Sequence, residues 1–194
     1  MRNSSSVKDR IFIANNTDQI FFVSKWVMKK FFEGLPFNQK NNCEVLYPSI
    51  NPLKNFPRKK NIIIFIGKLN SSKGFDIFGK SILKILDKNK NWRAIAVGNE
   101  PREKYKFIHD RFLIKDWINH SKLLSLYKES SISVVPSRWQ EPFGRTAMES
   151  AAYGCATITS NRGGLSETFN TNLVLKNLNS VSLEKIIKKI ILNK

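Results

Sequence analysis

The chain has 194 residues, 41% hydrophobic and 11% aromatic, with a formal net charge of +18. That balance excludes a disordered chain and leaves room for one domain with a sizeable core, or one domain plus part of another. No apolar run approaches the roughly 20 residues of a membrane span. The sequence has two cysteines, Cys43 and Cys155, without metal-type spacing, so no zinc site and a reduced compartment are expected.

Three readings of the charge stand side by side. Nucleic-acid binding follows from charge alone. Attraction to an anionic membrane surface or a phosphorylated substrate is the second. The third is a Lys- and Asn-rich compositional bias spread over a solvated surface. Residues 1–10 are polar and basic but lack a following apolar core and a small-residue cleavage site. No signal peptide is therefore read, and a cytoplasmic chain is expected, in peripheral contact with the inner face of the cell membrane on the second reading.

In chain order, Ile20 to Val23 is a short β-branched and aromatic run suited to a strand. Lys25 to Phe32 has apolar residues at helical spacing, stopped by Gly34-Leu35-Pro36. Cys43 to Tyr47 predicts a second short strand, ended by Pro48. These pieces are too few for a core of their own, so residues 1–50 read as the remnant of a domain. Residues 51–60 read as a linker, and 61–194 as a second domain. Ile62 to Ile66 is a continuous apolar run of the buried parallel type. Phe75 to Leu86 predicts a helix with an apolar face. Strands are predicted at Trp92 to Val97 and within Phe107 to Ile114, then a helix from Ser121 to Tyr127 with Ser121 as N-cap. A strand at Ile132 to Val135, a helix at Thr146 to Tyr153 ended by Gly154, a strand at Ala156 to Thr159 and a helix at Leu183 to Leu192 follow. This alternation predicts an α/β fold, a Rossmann-like doubly wound parallel sheet. Ligands of such sheets sit at the carboxyl ends of the strands.

Three stretches fall at those ends. Gly67-Lys68-Leu69-Asn70-Ser71-Ser72-Lys73-Gly74 joins a strand to a helix. Its glycines permit tight turns, and Lys68 and Lys73 are point charges suited to phosphate. The spacing fits neither a Walker A loop nor G-x-G-x-x-G. Next, Pro136 to Glu149 contains Glu141-Pro142-Phe143-Gly144-Arg145-Thr146. A helix beginning near Gly144 offers free N–H groups and a partial positive charge to an anion. Glu149 can accept two hydroxyl hydrogen bonds, as a ribose diol offers. Glu141 serves equally as a cap, and Glu149 as a solvated helix residue. Last, Asn161-Arg162-Gly163-Gly164-Leu165-Ser166-Glu167 has paired glycines after a strand, which suggest close backbone approach.

Together these stretches resemble the donor-binding domain of the retaining GT-B glycosyltransferases of glycosyltransferase family 4. That family has a Gly-Arg-Leu…Lys-Gly loop, a Glu-Pro-Phe-Gly…Glu segment with seven residues between the glutamates, and a Gly-Gly…Glu loop, in this order. Phe22-Val23-Ser24 to Leu46-Tyr47-Pro48 is similar to the end of the family's N-terminal domain.

The resemblance implies that this is the C-terminal half of a GT-B fold, preceded by a fragment of the N-terminal acceptor domain. Lys68 and Lys73 would hold the donor diphosphate and stabilise its leaving charge. Lys stands at 68 where the family usually has Arg, keeping the charge but losing the fork. Glu149 would hold the ribose hydroxyls, and Glu141 would lie near the donor sugar, as a catalytic residue with both lysines. Gly67 and the backbone amides of Phe143, Gly144, Arg145 and Thr146 complete the donor-binding set. A Gly common in the family near Leu113 to Trp117 is not evident.

The implied activity is retaining transfer of a sugar from a nucleotide-sugar to a glycan or lipid-linked acceptor, in polysaccharide or lipopolysaccharide assembly. No cofactor or metal is implied, and no Asp-x-Asp pair is present. Most acceptor-binding residues would come from the missing N-terminal domain or a partner chain, so weak or absent transfer is expected of this chain alone. The competing reading is a non-catalytic nucleotide or nucleic-acid binding module. Against nucleic acid, aromatic and basic residues do not interleave as on base-stacking surfaces.

Overall fold

The computed structural model describes residues 4–38, 41–169 and 171–193; residues 1–3 and 194, at the ends of the two expected domains, lie outside them. The chain divides into two units, Met1–Ser49 and Ile50–Lys194.

The first unit opens with a helix that the sequence reading did not anticipate, α1 (Ser4–Asn16). It is followed by β1 (Ile20–Phe22), α2 (Lys25–Phe32) and β2 (Cys43–Val45). Ser24 caps α2, its hydroxyl accepting from the Val27 N–H at 3.1 Å. Arg10 of α1 donates to the carbonyls of Lys30, Phe31 and Glu33 at the end of α2, where orphan carbonyls and the negative helix pole favour a cation. That role is tertiary, which is why the basic N-terminal stretch looked featureless. β1 and β2 pair in parallel, Phe21 opposite Glu44.

In the second unit, β3 (Lys60–Ile66), α3 (Phe75–Lys88), β4 (Arg93–Val97), β5 (Phe112–Lys115) and α4 (His120–Glu129) form the first half. β6 (Ser130–Val135), α5 (Arg145–Ala152), β7 (Ala156–Ser160), β8 (Val174–Leu175) and α6 (Ser180–Leu192) form the second. The six strands are all parallel, in the order β5-β4-β3-β6-β7-β8. The chain thus reverses direction between β3 and β6, the switch point at which ligands of doubly wound sheets bind. The predicted fold class holds.

Both faces of the sheet are covered, which explains the unbroken apolar run in β3. Ile63 and Phe65 face a core with Phe75, Phe78 and Ile82 of α3 and Leu183 and Ile187 of α6. Ile62, Ile64 and Ile66 face the other side, with Leu123 and Tyr127 of α4. Phe65 lies 5.3 Å, centroid to centroid, from both Phe75 and Phe78; truncating such a ring to Ala costs roughly 3–5 kcal/mol.

Residues 51–59 carry no helix or strand, and they are fastened to this unit. Leu53 N–H donates to Ala152 O at 3.2 Å, and Lys59 Nζ donates to Tyr127 O at 2.9 Å and to Tyr153 O. Burial pulls the Lys59 ammonium below its usual pKa, the charge of Cys155 opposing. Burial also raises the Cys155 thiol to about 11, so it is inert as a nucleophile near neutral pH.

The α4 cap is a correction. Asn119, not Ser121, caps the helix, its Oδ1 accepting from the Lys122 N–H at 2.9 Å. Ser121 already lies inside the first turn, and its hydroxyl donates to the same Asn119 oxygen.

Candidate functional site

The loop Gly67–Gly74 leaves β3 and enters α3. Asn70, 7% exposed, organises it from within. Its Oδ1 accepts from Ser72 Oγ and from the Lys73 N–H, each at 3.0 Å, while its amide donates to Glu100 Oε2 at 3.2 Å. The Phe75 N–H donates to Asn70 O, and the Ser71 N–H to Glu103 Oε2 at 2.8 Å. With the Asp76 carboxylate also accepting from the N–H groups of Asp76 and Ile77, the amides at the start of α3 are largely used up, and this helix end is closed to an anion. Gly74 (φ 76°) allows the closure: a Cβ there would lie 2.1 Å from Pro136 O.

Two carboxylates beyond β4 hold this loop. The guanidinium of Arg102 is the main reason Glu100 titrates at about 2, outweighing the opposing effect of burial. The Ser71 N–H is the main reason Glu103 lies below the usual carboxylate range.

Across the switch point, the loop after β6 is laced to the first. The N–H groups of Arg138 and Trp139 both donate to Ser72 O, at 2.8 and 3.0 Å. The Arg138 fork grips Asp76 at 2.6 and 2.9 Å. Burial pushes the Asp76 carboxyl up, but the Arg138 hydrogen bond and charge outweigh it, and the net shift is downward. Lys73 Nζ reaches Glu141 Oε1 at 2.6 Å, and Ser137 Oγ, nearly buried, donates to the same oxygen at 2.8 Å. The Glu141 backbone carbonyl accepts from the Gly164 N–H at 2.7 Å.

Gly163 (φ 64°) makes that last contact sterically feasible, since a Cβ there would lie 2.2 Å from Glu141 O. Beside it, a cleft of about 300 Å³ is bounded by Ser160, Asn161, Leu165 and Glu167, among others. Glu167 sits in a 3-10 turn rather than in a following α-helix.

The helix α5 differs from α3. Gly144 begins it with no side-chain cap, and the N–H groups of Gly144, Arg145 and Thr146 meet no acceptor among the described residues. Phe143 is buried, and its carbonyl accepts from Thr168 Oγ1 at 2.6 Å. Of the two helix ends at the switch point, this is the one with open donors, the arrangement that accepts an anion. One turn on, Glu149 is 5% exposed. Its Oε1 lies 3.2 Å from His120 Nε2 of α4 and 3.5 Å from Arg145 Nη2.

The structure therefore joins Lys73 to Glu141 and Arg145 to Glu149. The Lys68 residue is exposed, and its ammonium has no hydrogen bond or ion pair with the described residues; none links Glu149 to either lysine. All three stretches lie at the carboxyl ends of the strands, which the connectivity requires. Sequence reasoning passed over Asn70, Ser137, Arg138 and His120. Asn and Ser in loops read as turn formers, and only their burial or cross-loop bonding reveals more. Among the described residues, no group of three His, Cys, Asp or Glu could hold a metal ion. No helix there is long and apolar enough to cross a membrane.

This architecture is that of the GT-B glycosyltransferases. Over 95% of its length the chain superposes on 56% of a glycosyltransferase from Rickettsia africae (TM-score 0.76, 20% identity). It also superposes whole on 59% of Anabaena HepE in a complex with UDP-glucose (TM-score 0.78, 15% identity). Residues 49–194 match the family Glycosyl transferases group 1, and the chain belongs to that family. An uncharacterized glycosyltransferase of Methanocaldococcus jannaschii is 28% identical over 151 residues, 66% of this chain and 38% of the relative. The chain thus spans well under two thirds of the length of these relatives.

Proposed function

We propose that this chain carries the donor-binding half of a retaining glycosyltransferase of family 4, using a nucleoside-diphosphate sugar. The observation that carries this reading is the open end of α5, reached three residues after the Glu141 that Lys73 holds. The bound UDP-glucose of the Anabaena neighbour supports the donor class.

In this reading the diphosphate sits on the N–H groups of Phe143, Gly144, Arg145 and Thr146, with Lys73 and Lys68 as counter-charges. Glu149 accepts the pentose hydroxyls. The bond between sugar C1 and the β-phosphate oxygen breaks, its electron pair going to the diphosphate. Positioned donors and cations lower the cost of that leaving charge without a metal. Glu141 stands beside the donor sugar, where positive charge develops at C1, and its bonds to Lys73 and Ser137 hold it in place. The acceptor, a glycan or lipid-linked saccharide, binds to parts supplied by a longer chain or a partner polypeptide. The site works in the cytoplasm at the inner membrane face, where the +18 charge favours peripheral contact with anionic lipid.

A thermal-shift screen of UDP-, GDP- and ADP-sugars tests the donor class, with stabilisation by at least one expected. Proton NMR of the transferred sugar then tests retention; an inverted anomer would refute it.

A further inference from the structure

We infer that His120 is a positioning residue for Glu149: its imidazole pins one carboxylate oxygen and leaves the other to the pentose diol of the donor. This rests on the reading in which Glu149 grips the pentose.

Both protein donors converge on one atom. His120 Nε2 lies 3.2 Å from Glu149 Oε1, and Arg145 Nη2 lies 3.5 Å from the same oxygen. Oε2 receives no donor among the described residues. A carboxylate so buried requires hydrogen bonds, and this one is satisfied on one side only. The unused oxygen keeps two lone pairs, enough for two neighbouring hydroxyls.

The neighbours of Glu149 on α4 single out the histidine. His120 and Tyr127 lie seven residues apart, two turns along one stripe of the helix. Tyr127 is fully buried and close enough to feel the charge of Glu149, yet its hydroxyl has no partner among the described residues. The hydrogen bond from α4 to Glu149 therefore comes from His120. The imidazole is 56% exposed, so core packing does not account for its place. Glu149 is its one hydrogen-bond partner among the described residues. Arg145 approaches from the same helix as Glu149 at a longer distance, so His120 alone fixes the carboxylate from outside α5.

The test compares a ribonucleoside diphosphate with its 2′-deoxy counterpart, UDP with dUDP, GDP with dGDP and ADP with dADP. Calorimetry would use the full chain as wild type, His120→Ala, His120→Gln and Glu149→Ala, with melting temperature as the folding control. The wild type should prefer the ribo form of at least one pair. Glu149→Ala should erase the preference. His120→Ala should cut it about threefold or more, the size of one hydrogen bond, with an unchanged melting temperature. His120→Gln, which keeps an amide donor, should restore part of it. An unchanged preference in His120→Ala, alongside its loss in Glu149→Ala, would overturn the inference and leave the pentose reading standing. A preference that survives Glu149→Ala, or no binding of any pair, would overturn both.

Discussion

Lys73 and Glu141 meet across the switch point of the sheet, ammonium to carboxylate at 2.6 Å, one from the loop after β3 and the other from the loop after β6. The pair is only partly exposed, at 30% and 13% of the two side chains. In the proposed complex it must share Lys73 with a diphosphate. Lys73→Ala should therefore weaken nucleoside-diphosphate binding about ten- to hundredfold, the range of a charge-assisted hydrogen bond. Glu141→Gln should act in the opposite sense on binding, because it releases Lys73 and removes a negative charge near the phosphates. With the acceptor-binding part supplied by the longer chain or partner, its sugar-transfer rate should fall by roughly a hundredfold or more. Calorimetry and a transfer assay on the two variants check this; weaker binding by Glu141→Gln would contradict it.

Arg138 and Asp76 form the brace that keeps the two loops in register. The contact is bidentate, but the Arg138 side chain is 38% exposed, so its contribution to stability is about 1 kcal/mol. Arg138→Ala should lower the melting temperature by about 2–4 °C in a chain of this size. It should also weaken diphosphate binding, although Arg138 is not expected to touch the ligand. Unchanged binding would show that the brace does not place Lys73.

Glu100 gives the loop a pH signature. Its folded pKa, about 2, lies below the ordinary 4.5. A depressed carboxylate stabilises the fold fully above the unfolded value, and that contribution is lost as pH falls from about 4.5 towards 2. Glu100→Gln should flatten the acid limb of a stability-versus-pH curve in that window, while lowering stability at pH 7. An unaltered acid limb would argue against the Arg102 and Asn70 contacts.

Gly163 cannot carry a side chain without moving Glu141. Gly163→Ala should cost roughly 1–3 kcal/mol through its positive φ alone. The Cβ would also push on the Glu141 carbonyl, so transfer should fall further than stability explains. Denaturant unfolding beside a rate measurement separates the two effects.

Five strands of the sheet were legible because their signals are local and strong; β8, two residues long, carries too short a pattern and was not read. The run Ile62 to Ile66 could only be buried on both faces, and the apolar stripe of α3 follows it at once. The strand-to-helix loops could be found for the same reason. What lay beyond the sequence was pairing at a distance. Lys73 stood out as a phosphate candidate, but nothing near it in the chain points to Glu141, 68 residues away, as its partner. Arg138 drew no attention in the sequence, yet it bridges to Asp76, 62 residues away. The bonds by which Asn70 and Glu103 tie down the Lys73 and Ser71 amides ahead of α3 were hidden too, since no periodicity encodes them. The helix α1 was missed because its anchor is Arg10 on the carbonyls of α2, not an apolar stripe.

The most direct measurement is calorimetric titration of UDP, GDP and ADP into the wild-type chain, Lys73→Ala and Glu149→Ala. The account predicts saturable one-to-one binding of at least one nucleotide, weakened tenfold or more in each variant, with folding intact. Binding to none of the three, or binding that survives both substitutions unchanged, would contradict it.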